Sequence, residues 1–187
     1  MVPSPAPSVR ILDTATRLFY QEGLRVGIDR VIAESRVAKA SFYRYFPSKD
    51  DLIAAYLGRR HEEWMRWFVR RVDALATERG ARLERIADVL REWFADDDFH
   101  GSAFINAMAD ASLAPVAREV VRRHDEALRD ILLAFLEHLG LEPAEELVED
   151  VLLIVDGAIV RAQHAPDRAS AIAAADTAER LLARLAR

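Results

Sequence analysis

GIDRVIAESRVAKASFYRYFPSK, residues 27–49, decides how the chain is read. Ile28, Val31 and Ile32 recur at i, i+3 and i+4, which is one apolar face of a short helix. Ser35 and Arg36 interrupt that face. Val37, Phe42 and Phe46 then offer a second apolar edge, while Lys39, Ser41, Tyr43, Arg44 and Tyr45 carry polar groups. Pro47 ends the second helix, because the residue before a proline is pushed out of the α region. Ser48 is placed to cap a new helix, with Asp50 and Asp51 in its first turn, where negative charge is favourable. Two short helices across a tight turn, the second presenting Lys, Ser, Tyr and Arg together, have the form of a DNA-reading helix-turn-helix.

Periodicity outward from this stretch predicts an all-α chain of about nine helices. Ser8 is the expected cap of a first helix, striped by Ile11, Leu12, Ala15, Leu18 and Phe19 and ended at Gly23. A long fourth helix from Ser48 to about Thr77 stops before Gly80. Further helices follow at Leu83–Phe94, in FHGSAFINAMADA, from Pro115 to Gly140, from Pro143 to Gln163, and from Pro166 to the end. No segment sustains a two-residue alternation. The expected domains are residues 1–50, a tail plus the helix-turn-helix, and residues 51–187, with the fourth helix coupling them.

Composition limits the function classes. An apolar fraction of 51% is ample for a core, and the absence of cysteine removes disulfides and thiolate metal sites. No apolar run is long enough to span a bilayer, and the start, MVPSPAPSVR, has no hydrophobic signal core, so a cytoplasmic protein without a membrane partner is expected. The net charge of −5 is unevenly shared. Residues 1–50 hold eight basic and five acidic side chains, the remaining 137 eighteen basic and twenty-six acidic. A basic N-terminal module on an acidic body is the footprint of a local contact with nucleic acid. Lys39 and Ser41 lie near the N-terminus of the reading helix, where side chains reach base edges, and Lys49 lies at a helix N-terminus, a ready anion site.

The segment AESRVAKASFYRYFPSKDDL (33–52) resembles the DNA-binding signature of the TetR/AcrR family of bacterial repressors, and ILDTATRLFYQEG (11–23) resembles that family's first helix. The resemblance implies a homodimeric, ligand-released repressor that binds a palindromic operator in double-stranded DNA. It implies that Ala40 lies against the bases, and that Tyr43, Tyr45 and Lys49 hold phosphates, with Arg36 and Arg44 in the same interface. Two departures stand out. Arg36 occupies the turn position where the family has glycine, and Gly27-Ile28 replaces the Thr or Ser that begins helix two in many members.

The resemblance also implies an effector pocket between helices four and seven, where the remaining aromatics concentrate. The expected lining is Trp64, Trp67, Phe68, Trp93, Phe94, Phe104, Asn106, Met108 and His124, suited to a mainly apolar or aromatic small molecule with one or two hydrogen-bonding groups. An aromatic stripe at helical spacing is also ordinary core. GSAFINAMAD (101–110) resembles a subgroup pattern in which Ser102 replaces a cysteine, and Asn106 is the expected buried polar group. VLLIVDGAIVRA (151–162) resembles the family's dimerisation helix. With the last helix it supplies Leu152, Leu153, Asp156, Gly157, Val160, Ala171, Ala174, Ala175, Ala178 and Leu182 as candidate interface residues, against the alternative of packing within one chain.

Catalysis has no constellation to carry it: there is no phosphate loop, nucleophile elbow or cysteine. The five histidines are dispersed and form no HExxH or paired ExxH pattern, so neither a metal nor a cofactor is expected. The other reading is a helical-bundle small-molecule-binding protein or enzyme with a vestigial DNA-binding module, which binding to random duplex DNA would separate from a regulator.

Overall fold

The computed structural model describes residues 5–141 and 145–186. These residues form nine helices and no strand: α1 Pro7–Glu22, α2 Ile28–Ser35, α3 Lys39–Tyr45, α4 Lys49–Arg79, α5 Arg85–Phe94, α6 Ala103–Met108, α7 Pro115–His138, α8 Glu145–Gln163 and α9 Arg168–Leu185. None is long and apolar enough to cross a membrane. The expected helix start at Pro143 lies outside the described residues.

Local chemistry accounts for most boundaries. Ser48 Oγ accepts from the Asp51 amide at 3.1 Å and donates to the Asp51 carboxylate at 2.7 Å, closing the first turn of α4. Asp167 does the same for α9, accepting from the Ser170 amide at 2.7 Å. Helix α1 departs from expectation. It starts at Pro7, with Ala6 in the N-cap position and no side-chain cap, so Ser8 lies inside the helix. Proline at the first helical position has its φ preset and has no amide hydrogen to satisfy, so the helix begins two residues earlier than a cap at Ser8 would place it.

The described residues form two compact units, and neither ends at residue 50. The first takes in the residues up to Glu63 and Ala103–His124; the second comprises Trp64–Ser102 and residues from Asp125 onward. The first is larger than residues 1–50 because its core needs more than three helices. Ile11, Ala15, Leu18 and Phe19 of α1, Val31 of α2 and Phe42 of α3 pack with Leu52, Ile53, Tyr56 and Leu57 of α4. Ala103, Phe104 and Ala107 of α6 and Ala117 and Val120 of α7 belong to the same cluster. The Arg30 guanidinium straps α2 to α1, meeting Glu22 at 2.7 Å and Glu34 at 2.8 Å. By charge this unit holds thirteen basic against ten acidic side chains, the second thirteen against twenty-one.

In the second unit α9 lies against α8 and α5. Ala171, Ala175, Ala178 and Leu182 are its buried stripe, and Val148, Val151, Leu152, Val155, Ala158, Ile159 and Ala162 that of α8. A charged cluster pins α5 to α9: Arg91 donates to Asp88 at 2.6 Å, to Asp176 at 2.8 Å and to Glu179 at 2.6 Å. Gly101 has a positive φ of 83° and faces the Gln163 side chain so closely that a Cβ would overlap it.

The turn between α2 and α3 is made by Arg36 itself, in the left-handed region at φ 54°, ψ 44°. Its amide closes the helix end on Ala33 O at 3.3 Å. It is the one non-glycine residue with positive φ among the described residues. The family-like turn is therefore retained, with strain in place of rearrangement. A side chain there costs about 1 kcal/mol relative to glycine. Arg36→Gly is accordingly expected to raise stability by about 1 kcal/mol, read as a higher urea midpoint at unchanged slope; a lower midpoint would show that the Arg36 side chain more than offsets the strain.

Candidate nucleic-acid interface

Helix α3 is only seven residues long, and one side chain anchors it: Phe42, 0% exposed. Phe46 and Val37 are half-buried beside it, so the second apolar edge expected from sequence is present but only Phe42 is fully enclosed. Phe42 meets Tyr43 edge-on with ring centroids 5.3 Å apart. Burying that one position turns Lys39, Ala40, Tyr43, Arg44 and Tyr45 outward, and Ser41 is half-exposed. Five of the residues predicted from sequence are thus exposed on α3, and Arg36 is exposed on the turn before it.

Three details lie beyond what sequence gave. The Arg44 guanidinium sits over the Tyr45 ring, 5.0 Å from its centroid, and donates to its hydroxyl at 3.3 Å. Lys39 Nζ lies 3.4 Å from Asp29 Oδ1 on α2. Arg25, in the turn after α1, is a cation the motif reading passed over. Asp110 is held below the usual carboxylate range, first by hydrogen bonds from the Ser112 side chain and backbone, and further by the charges of Arg25 and Lys49. Arg25 and Lys49 are thus close enough to act on the same carboxylate. The only sequence signal for Arg25 is a basic residue just beyond the Gly23 stop.

The candidate effector residues separate between the two units. In the second, Trp64 stacks on Phe68 at 4.7 Å, and Trp93 meets Trp64, Trp67, Phe94 and Phe99 at centroid distances of 5.9, 6.4, 6.1 and 5.2 Å. These rings mostly pack on one another. Of the predicted lining only Phe68 borders a cavity of about 510 Å³, whose walls are α4, α5 and α7 with Val72, Ile86, Leu132 and Phe135. In the first unit Phe104 and His124 stack at 3.5 Å. Asn106 is exposed, which corrects the buried-polar expectation: α6 buries Ala103, Phe104 and Ala107, and residue 106 falls off that face. Met108 is also on the surface, 50% exposed.

The histidines are not all dispersed. His61 and His124, 63 positions apart, bring their Nδ1 atoms to 3.1 Å. Burial, and then the neighbouring His61, hold His124 down to about 3. Burial also lowers His61, helped by Arg123 and opposed by Glu62. At 3.1 Å one ring nitrogen must donate and the other accept, so the pair is arranged around a single proton. No group of three or more His, Cys, Asp or Glu side chains that could hold a metal occurs among the described residues.

The candidate dimerisation residues also separate. Leu152, Ala171, Ala175, Ala178 and Leu182 are buried within the chain, so their apolar surface is already used between α8, α9 and α5. Leu153, 74% exposed, remains outward with Asp156, Gly157 and Val160, and Ala174 is half-exposed. Leu153, Gly157 and Ala174, with Leu181, line a surface groove of about 810 Å³ between α8 and α9.

Residues 11–56 match the family model described as bacterial regulatory proteins, tetR family. No curated protein matches the chain. Among solved structures, a TetR-family transcriptional regulator from Streptomyces coelicolor is 28% identical, with a TM-score of 0.77, over 97% of this chain and 96% of that one. A TetR transcription regulator from Haloarcula marismortui is 26% identical, with a TM-score of 0.74, over 95% and 97%. The multidrug binding protein EbrR complexed with malachite green shares the fold at 23% identity and a TM-score of 0.73, over 98% and 99%.

The histidine pair sets a pH dependence. His124 has a lower proton affinity folded, near 3, than its ordinary 6.5, so its neutral form favours folding. That contribution is complete above about pH 6.5 and is lost as pH falls toward 3, at up to about 1.4 kcal/mol per pH unit. Stability of the wild type is expected to decline through this window, and His124→Gln to flatten the decline by about one proton. Parallel urea-midpoint profiles for the two proteins would show that His124 does not carry it.

Proposed function

We propose that the chain, whose residues 11–56 match the tetR family of bacterial regulatory proteins, is a transcriptional repressor of that family that binds a palindromic operator as a homodimer and is released by a small molecule. It acts in the cytoplasm by binding and performs no catalytic step. The observation that carries the reading is the form of α3 inside the family-matched segment: Phe42 is fully buried, while Lys39, Ala40, Tyr43 and Tyr45 are each exposed. Lys39, Ala40 and Ser41, at the N-terminal end of α3, meet base edges; Tyr43, Arg44, Tyr45, Arg36 and Lys49 set the register on phosphates.

The homodimer forms through the exposed strip of α8 and α9. Leu153, Gly157, Val160 and Leu181 leave apolar surface uncovered beside the groove, and small residues there let a second pair of helices approach closely. The effector is a mainly apolar small molecule, and the cavity bordered by Phe68, Val72, Leu132 and Phe135 is the room it takes. A ligand that lowers operator affinity must itself bind the operator complex less tightly by the same factor; a coupling of about 2–3 kcal/mol gives roughly thirty- to hundred-fold release.

Selection of bound duplexes from a random pool tests the DNA reading, and failure to enrich any palindromic site would sink it. On the selected operator, affinity should fall steeply with salt, and Lys49→Ala should lower the slope of log affinity against log salt by about one while weakening all sequences alike. An unchanged slope would remove Lys49 from the phosphate contacts. Gly157→Leu tests assembly cleanly, because nothing lies within 4 Å of a Cβ placed there in the single chain. It is expected to yield a normally folded monomer in sedimentation with operator affinity lost; a dimeric Gly157→Leu protein would place the interface elsewhere.

A further inference from the structure

The reading helix does not present its lysine alone. Lys39 Nζ, on the first residue of α3, lies 3.4 Å from Oδ1 of Asp29 in the first turn of α2. The two side chains are 65% and 89% exposed, so the pair adds little to stability. What it provides is a donor and an acceptor side by side at the end of α3 that meets DNA. Helix α2 opens with Gly27 and Ile28, which offer no hydroxyl to a phosphate, and then Asp29, whose carboxylate repels one. A carboxylate on a DNA-facing surface gains by meeting a hydrogen-bond donor, and in the major groove the donors are the amino groups of cytosine and adenine.

The base-pair edges distinguish these two. In a G·C pair the guanine O6 and the cytosine N4 are hydrogen-bonded to each other, hence about 2.9 Å apart, close to the 3.4 Å between Nζ and Oδ1. Beyond O6 lies the guanine N7, a second acceptor for an ammonium; beyond N4 lies only the cytosine C5–H. An A·T pair offers a similar donor beside an acceptor, but its flanks are wrong. The thymine methyl stands where the ammonium seeks a second acceptor, and the adenine N7 lone pair faces the carboxylate.

We propose that Asp29 is a specificity-determining residue which, together with Lys39, reads one G·C pair in each operator half-site. Lys39 donates to guanine and Asp29 accepts from cytosine N4. The inference rests on the reading of α3 as the DNA-contacting helix. Asp29 is exposed and belongs to no core, so its removal leaves the fold in place.

The test is selection from a random duplex pool by the full chain, in parallel for wild type, Asp29→Ala and Lys39→Ala, followed by affinities for matched duplexes. Wild type should enrich G·C at one position of each half-site. Asp29→Ala should lose about tenfold of the preference for G·C over A·T there, with the other positions unchanged, and Lys39→Ala should relax the same position. Replacing the cytosine of that pair by N4-methylcytosine, with its groove-side proton blocked, should weaken wild type by a similar factor and leave Asp29→Ala unaffected. An Asp29→Ala protein that shifts its affinity for every duplex by one common factor, with its preferences intact, would overturn the inference while leaving the regulator reading standing. A wild type that selects no duplex would overturn both.

Discussion

A seven-residue helix has too few internal hydrogen bonds to offset the cost of nucleating it, so α3 exists only because something holds it. That something is the burial of Phe42 among side chains from α1, α2 and α4. The other features of the reading surface follow. With Phe42 fixed, the 100° step per residue carries Ala40 and Arg44 to the far side and Tyr43 to the flank, while Lys39, three residues before Phe42, lies nearer the buried side and is exposed at the first residue of the helix. The strained turn at Arg36 is tolerated for the same reason. A backbone conformation costing about 1 kcal/mol persists when the helices on either side are anchored independently.

Much of this was legible in the chain because the signals were local. A proline two residues after Tyr45, a serine three residues before Asp51, and an i, i+3, i+4 stripe each act within one turn of helix. The boundaries of α2, α3 and α4 followed from them. The miss at Ser8 was a contest between two local rules, in which the preset φ of Pro7 won over a serine cap. The reading surface was legible for a further reason: α3 buries one position, so nearly everything polar on it had to face outward. The pairing of Lys39 with Asp29 was not legible, because ten residues and a left-handed turn lie between them.

The second unit was harder to read, for a physical reason. Alanines four and three apart give the same pattern whether the partner helix belongs to the same chain or to another. Ala171, Ala175 and Ala178 turn out to pack inside the chain, and the outward strip is marked by Leu153 and Val160, which periodicity alone did not separate from them. Aromatic density misled in a similar way: rings that satisfy one another, as Trp64 and Phe68 do, leave little to line a cavity. The histidine pair had no sequence signature at all. His61 and His124 meet only because α4 and α7 both contribute to the first unit.

The scarcity of lysine bears on how the protein can be handled and modified. Lys39 and Lys49 are the only two in the sequence, against twenty-four arginines, and both belong to the first unit at the reading helix and the capped turn behind it. Every side-chain amine of this chain is therefore on the surface assigned to DNA. An amine-reactive dye, an immobilising crosslinker or a lysine acetyltransferase would find no ε-amino group elsewhere, and each would neutralise or obstruct a cation in the surface being probed.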